Sequence, residues 1–235
     1  LLRIAKKHRL LLLEDAAHAL GAVYQGKKIG EIADITTFSF HPVKAITTGE
    51  GGMVATNQKK FAEAARTFRT HGIQRKSEKE PWYYEIEEPG FNYRITDIQA
   101  ALGLSQLKKL NRFIGRRRKL VRQYGQLLKG VEELILPTEA KGSQSAWHIY
   151  PVQIAGGSAK RRKVFDALLR RGIGTQIHYM PLHLHPFYKK KFGYKKGDFP
   201  KAEQYYERAL TLPLFPAMTD AEQEYVVDAL KAILI

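Results

Sequence analysis

Cysteine is absent from the 235 residues, which rules out disulfides, thiolate metal sites and cysteine nucleophiles. The lack of it accords with a cytoplasmic protein. Long apolar runs are missing as well. The quartet Leu10-Leu11-Leu12-Leu13 is far short of the ~20 residues a membrane span needs. Acidic residues are scarce: 23 stand against 39 Lys and Arg, a formal charge of +16. Such a balance suits anionic small molecules, nucleic acid or an acidic surface. The basic residues come in runs, as at Lys160-Arg161-Arg162-Lys163 and Lys189-Lys190-Lys191, and solvated helix faces are their ordinary reading. Without a helix-turn-helix, zinc-finger or RNP signature, no nucleic-acid partner is expected. The chain does not open with Met, and Leu1 to Lys7 already reads as an amphipathic helix in progress.

What is present alternates helix and strand in the manner of an α/β protein. The Leu10 quartet reads as a fully buried strand with Asp15 just past its carboxyl end, the edge where open α/β sheets collect ligands. Further strands are expected from Ile35 to Phe40 and from Gly52 to Thr56, then a helix from Gln58 to Arg69. The stretch from Thr70 to Tyr93 is irregular, punctuated by Gly72, Pro81, Pro89 and Gly90. Thr96 and Gln99 form a capping box that opens a long helix with a break near Gly115. Beyond it a smaller α+β unit is expected: strands at 147–154 and 174–179, helices at 158–171, 200–210 and 219–235. The division favoured is 1–130 and 131–235.

Asp15, Ser39 and Lys44 each stand at or just beyond the end of an expected strand, and Pro42 with the glycines after Thr48 presents Lys44 from a loop. A partly desolvated lysine is nucleophilic toward aldehydes. A strand-end carboxylate can hold a pyridinium nitrogen protonated, and a serine can bind a phosphate oxygen. Each of these residues alone is also ordinary for a surface loop. His178, His183 and His185 lie close together but have no acidic companion in sequence, and Pro181 and Pro186 interrupt any helical register, so no metal site is expected.

Three motifs carry a resemblance. Glu14-Asp15-Ala16-Ala17-His18-Ala19-Leu20-Gly21-Ala22, Phe38-Ser39-Phe40-His41-Pro42-Val43-Lys44 and Thr48-Gly49-Glu50-Gly51-Gly52-Met53 resemble, in order and spacing, the DegT/DnrJ/EryC1/StrS aminotransferases. The resemblance implies the fold-type I, aspartate aminotransferase-like architecture: part of the large pyridoxal-phosphate (PLP) binding domain with a linker helix, then a small C-terminal α+β domain. It makes Lys44 the Schiff-base lysine, Asp15 the partner of the pyridine nitrogen, Ser39 a phosphate ligand and His18 a neighbour of the ring hydroxyl. His18 also reads as a polar residue satisfied at a helix start. Relatives with histidine in place of this lysine are sugar dehydratases, so Lys44 favours transamination.

Gly90-Phe91-Asn92-Tyr93-Arg94 extends the match. By resemblance, Asn92 reaches the phosphate of a partner subunit's PLP, which implies a homodimer. Its sequence context equally suits a turn residue. Arg94 suits a donor carboxylate or a surface ion pair, and His178-Tyr179 resembles a substrate-side segment. The nearest subfamily resemblance is to the UDP-4-amino-4,6-dideoxy-N-acetyl-β-L-altrosamine transaminases of pseudaminic acid biosynthesis. The expected reaction is transfer from glutamate to the C4 keto group of a nucleotide-linked 4-keto-6-deoxy sugar. Perosamine-type and 3-amino-sugar enzymes are alternatives, as is an inactive piece, because the family's N-terminal phosphate loop is not found before Asp15.

Overall fold

The protein is described here by a computed structural model over residues 1–75 and 80–234. Its contacts divide the chain into two compact units, Leu1–Ile114 with Ala140–Ala146, and Gly115–Glu139 with Trp147–Ile235.

The first unit opens with helix α1 (Leu2–Lys7) and centres on a sheet of β1 (Leu13–Asp15), β4 (Ile35–Ser39) and β5 (Gly52–Ala55), in the order β1-β4-β5. Strand β1 runs parallel to β4, with Asp15 opposite Thr37, whereas β5 is antiparallel, with Gly52 opposite Ser39. Both Asp15 and Ser39 therefore emerge at the same edge. Asp34 fixes the other end: its carboxylate accepts from Leu12 N at 2.8 Å, and its carbonyl from Thr56 Oγ1 at 2.6 Å. Thr36, fully buried at the middle strand, donates to Glu14 Oε2 at 3.2 Å.

The expected buried strand at 10–13 is not what forms. Leu10, Leu11 and Leu13 are 60%, 62% and 63% exposed, and the strand begins only at Leu13. An all-Leu run signals burial on both faces only where layers cover both faces. Here β1 is an edge strand.

A small sheet of β3 (Lys27–Lys28), β2 (Val23–Tyr24) and β9 (Ser143–Gln144) lies in the same unit. Helix α2 (Lys59–Phe68) follows β5, and the expected irregular stretch contains a short antiparallel pair, β6 (Ile73–Gln74) with β7 (Glu85–Ile86). Residues 76–79 of that stretch lie outside the described residues. The capping box forms: Thr96 Oγ1 accepts from Gln99 N and Gln99 Oε1 from Thr96 N at the start of α3 (Asp97–Leu107). The helix breaks at Lys108–Lys109 rather than near Gly115, which sits inside α4 (Leu110–Leu127). An isolated helical glycine costs only about 1 kcal/mol and need not end a helix.

The second unit is built on β8 (Leu134–Ile135), β10 (Tyr150–Ile154) and β11 (Ala209–Leu212), in the order β11-β10-β8 and antiparallel throughout. Tyr150, Val152 and Ile154 alternate inward along β10, as the two-residue strand period requires. Leu120, Tyr124 and Leu128 of α4 bury one stripe, and α5 (Gly157–Arg170) adds Val164 and Leu168. Helix α8 (Asp220–Leu234) contributes Val226, Val227 and Leu230. Tyr124 and Tyr150 stack at 4.8 Å between ring centres, and Tyr124 Oη donates to Pro213 O. Burial pushes the Tyr150 phenol up to about 12 and the Tyr124 phenol up as well.

Gly172 ends α5 as expected. It is left-handed (φ 73°), its N–H donates to Leu169 O and that of Ile173 to Leu168 O. The expected strand at 174–179 reduces to a single bridge between Gln176 and Thr211. The expected helix at 200–210 stops at Arg208, as α7 (Pro200–Arg208), where β11 begins. All four β11 residues are buried, so the strand carries no alternation to betray it. Helix α6 (Pro186–Phe192), opened by Pro186, carries Lys189, Lys190 and Lys191.

Candidate active site

The chain leaves β4 at Ser39 and re-enters the sheet at Gly52, and the intervening loop is closed almost wholly by its own polar groups. Phe40 N donates to Gly51 O at 2.8 Å, and Phe40 O accepts from Thr48 N and from Thr47 Oγ1, both at 3.0 Å. Thr48 Oγ1 donates to Glu50 O at 2.7 Å, and Gln99 Nε2, at the head of α3, donates to the same carbonyl at 3.1 Å. Phe40, Ile46 and Thr48 are buried beneath the loop. Lys44 stands on this scaffold, its N–H donating to His41 O in a tight turn at 2.9 Å.

Lys44 is half-buried and its amine has no ion pair or hydrogen bond among the described residues. Burial lowers its pKa; the carboxylate of Asp15, acting through space, opposes that shift without overcoming it. The structure thus sets Lys44 and Asp15 within electrostatic reach. Asp15 Oδ1 accepts from Ala17 N at 3.0 Å, and Ser39 Oγ accepts the N–H of His41 at 3.4 Å. Neither interaction uses the second carboxylate oxygen or the hydroxyl proton. An unpaired, partly desolvated amine, a carboxylate and a hydroxyl at one sheet edge form a donor set that fits an aldehyde-bearing pyridinium phosphate.

His18 lies on a turn after β1, closed by Ala19 N donating to Ala16 O, rather than at a helix start. Asn92 pairs with Thr70 in an isolated bridge, inside a cluster of Phe68, Phe91 and Tyr93. Gly90 makes this crossing possible: a Cβ there would lie 2.1 Å from Gly72 N and 2.8 Å from Phe68 O. Arg94 is exposed.

In the second unit, His178 Nδ1 lies 2.8 Å from Thr211 Oγ1, and Tyr179 is exposed beside it. His183 does have an acidic companion: Glu203 Oε1, 2.8 Å from its Nε2, both side chains being buried. The His183 hydrogen bond, together with N–H donation from Gly197, holds the Glu203 carboxyl below its ordinary pKa against the cost of burial. Twenty residues of separation hid this pair from the sequence. Among the described residues no group of three or more His, Asp or Glu could hold a metal ion.

Thr48 stood in a family motif, whereas the bond from Thr47 to Phe40 O and that from Gln99 to Glu50 O are contributions that sequence reasoning missed. Thr-Thr-Gly is a hydroxyl-turn signal, and Gln99 was understood only as a helix cap. The comparisons with known proteins decide the family. The family model described as the DegT/DnrJ/EryC1/StrS aminotransferase family matches residues 1–231. The chain belongs to this family. Among relatives of this DegT-family chain, the spore coat polysaccharide biosynthesis protein SpsC of Bacillus subtilis is 40% identical over the whole chain and 62% of its own length. The UDP-4-amino-4,6-dideoxy-N-acetyl-β-L-altrosamine transaminase of Campylobacter jejuni is 36% identical, over 98% of the chain and 60% of its own length.

Among solved structures, the sugar aminotransferase Spr1654 of Streptococcus pneumoniae in its PLP form superposes with a TM-score of 0.89 at 31% identity. The match covers 96% of this chain and 58% of that one. Over the part it spans, the chain has the fold-type I aminotransferase fold. It spans about 60% of the length of the curated relatives it matches. No helix among the described residues is long and apolar enough to cross a membrane.

Proposed function

We propose that the enzyme represented by this chain is a PLP-dependent aminotransferase that moves an amino group from glutamate to the C4 keto group of a nucleotide-linked 4-keto-6-deoxy sugar. The observation that carries the reading is Lys44: a half-buried amine without a partner among the described residues, its pKa lowered by desolvation, under the influence of Asp15. Residues 1–130, with the linker helix, represent the C-terminal part of the large domain, and residues 131–235 the small domain. The chemistry PLP supplies when bound is an electron sink for the pair left behind as a proton leaves the donor's Cα.

The chain's own residues do the rest. Lys44 Nζ, as free base, is the nucleophile for the cofactor aldehyde. Toward a bound donor, Lys44 Nζ would be the base that holds and moves the proton at Cα. Asp15 keeps the ring nitrogen protonated. Ser39 donates its unused hydroxyl proton to phosphate, joined by Asn92 from the partner of a homodimer, and His18 faces the ring hydroxyl. Arg94 takes the donor carboxylate; His178 and Tyr179 line the sugar-nucleotide pocket. The name of the Campylobacter relative supports a pseudaminic-acid-type sugar, and a cytoplasmic location suits a sugar-nucleotide substrate.

The test is to incubate the full-length protein with PLP, glutamate and a panel of UDP-, dTDP- and GDP-linked keto sugars. The expected product is the 4-amino sugar. A 3-amino sugar, or amination of a GDP-linked substrate only, would replace this substrate assignment with a 3-amino-sugar or perosamine-type one. Lys44→Ala is expected to abolish turnover; retained activity without added amine would refute the assignment of Lys44.

A further inference from the structure

The second unit contains a buried cation that its own chain does not satisfy. Arg161, on α5, is only 8% exposed. Its guanidinium makes no ion pair or hydrogen bond among the described residues, and Nε is shielded from solvent without an acceptor. It lies over the face of Tyr206 on α7, 5.4 Å from the ring centre. Arg117, also buried in this unit, makes the contrast: its Nε too lacks an acceptor, but its Nη1 donates to the carbonyls of Trp147, His148 and Leu214 at 2.9–3.2 Å. A buried guanidinium lacking such acceptors is costly, and a bound anion removes that cost.

Arg161 lines a cleft of about 420 Å³ with Ser158, Arg162, Phe165, Ile177 and Tyr206. The α5 residues of this group are spaced three and four apart, so one helix face forms the wall, with Ser158 at its amino end. Helix α5 has 14 residues, no side-chain cap and no acidic residue in its first turn, so its leading N–H groups and their positive field are uncompensated. Asp166, also at the cleft, is engaged by Arg162 Nε at 2.8 Å. Phe165, Ile177 and Tyr206 supply apolar and aromatic surface beside the charge.

We propose that this cleft is a second binding site, distinct from the Lys44 site, for a small phosphate ester. Its phosphate is held by Arg161 and the first turn of α5, and its organic ring lies against Phe165, Ile177 and Tyr206. The inference does not depend on the aminotransferase reading, since every residue it uses lies in the second unit. Ile177 directly precedes His178, so occupancy bears on the segment that carries His178 and Tyr179.

The experiment is calorimetric titration of the full-length, PLP-saturated protein in phosphate-free buffer, with inorganic phosphate and with phenyl phosphate. Saturation with PLP keeps the probes out of the cofactor's own phosphate site. Both probes are expected to bind, phenyl phosphate more tightly because of its ring. Arg161→Met and Ser158→Glu are each expected to weaken binding by about tenfold or more, as loss of a charge-assisted bond or insertion of a competing anion demands. Ser158→Glu leaves Arg161 in place and sets an acid where a helix start favours one, so it keeps the test open if Arg161→Met fails to fold.

A purely structural Arg161 makes a different forecast. It predicts that Arg161→Met lowers the melting temperature equally with and without phosphate. On the binding reading, the variant melts at or above the wild type without phosphate and loses only the rise that phosphate produces. No binding by the wild type, or binding untouched by both variants, would overturn the site. Equal affinity for the two probes would overturn the seating of the ring.

Discussion

The two units of this chain are built by opposite means. In the second, nineteen of the described residues form one continuous buried apolar cluster, and its sheet and helices converge on Tyr124, Tyr150, Leu210 and Leu230. In the first, over the part of its relatives' length that this chain spans, the buried apolar residues among those described are Ala16, Ala33, Phe40, Ile46, Ile114 and Ala146. Its order comes from strand pairing and from side chains that bond to backbone, as Asp34, Thr47, Thr48 and Gln99 do. A core made by burial tolerates no loss of volume but carries little chemistry. A loop made by hydrogen bonds leaves amines, carboxylates and hydroxyls at the surface, where they can react. The difference predicts that substitutions in the first unit change chemistry more than stability, and those in the second the reverse.

Lys44→Ala is the strongest test on the first side. Because the Lys44 amine has no hydrogen bond or ion pair among the described residues, its removal is expected to end turnover while the urea midpoint stays near that of the wild type. A large loss of stability would break the contrast. Leu210→Ala is its counterpart. Leu210 is fully buried on β11, where its backbone pairs with Val152. Deleting three carbons there is expected to cost about 2–5 kcal/mol in urea unfolding. Molecules that remain folded at low temperature should still carry an intact Lys44 site.

Gly90→Ala sharpens the comparison because it strikes backbone in the first unit. The new Cβ meets Gly72 N, His71 C and Phe68 O, all closer than 3.0 Å, and none is the flexible end of a side chain. Overpacking of this kind costs about 1–3 kcal/mol. The site itself should register it more strongly: displacement of the bridge between Thr70 and Asn92 is expected to weaken PLP binding by the full-length enzyme. Loss of stability with unchanged PLP affinity would detach Asn92 from the cofactor.

How legible each unit was in sequence follows from the same difference. Asp15, Ser39 and Lys44 were visible because local signals place them: a strand end, a proline, a run of glycines. The Thr96–Gln99 cap was visible for the same reason. Long-range facts were not. The Glu203 partner of His183, the acceptors of Arg117 and the lack of any for Arg161 depend on how distant segments meet. Strand β11 was hidden by uniform burial, and β1 starts only at Leu13, so three of the four leucines precede it.

The smallest expected effect concerns charge in the second unit. Arg116 Nη1 and Lys119 Nζ, on α4, grip Asp220 at 2.8 and 3.0 Å at the start of α8. The Arg116 bond, then that of Lys119, holds the Asp220 carboxyl at about 2, below its ordinary 3.8. A depressed carboxyl stabilises the fold fully above its unfolded value, and that contribution is lost as pH falls from 3.8 through about 2. Asp220→Asn should therefore flatten stability against pH only within that acid window. Above it, the variant should be uniformly less stable by a modest amount, because the pair is partly exposed and screened by solvent. Added salt should narrow the gap between variant and wild type. Leu210→Ala, which removes apolar contact alone, should keep its full deficit at high salt, and a parallel salt response in the two variants would show that the second unit is not held by its core in the way described.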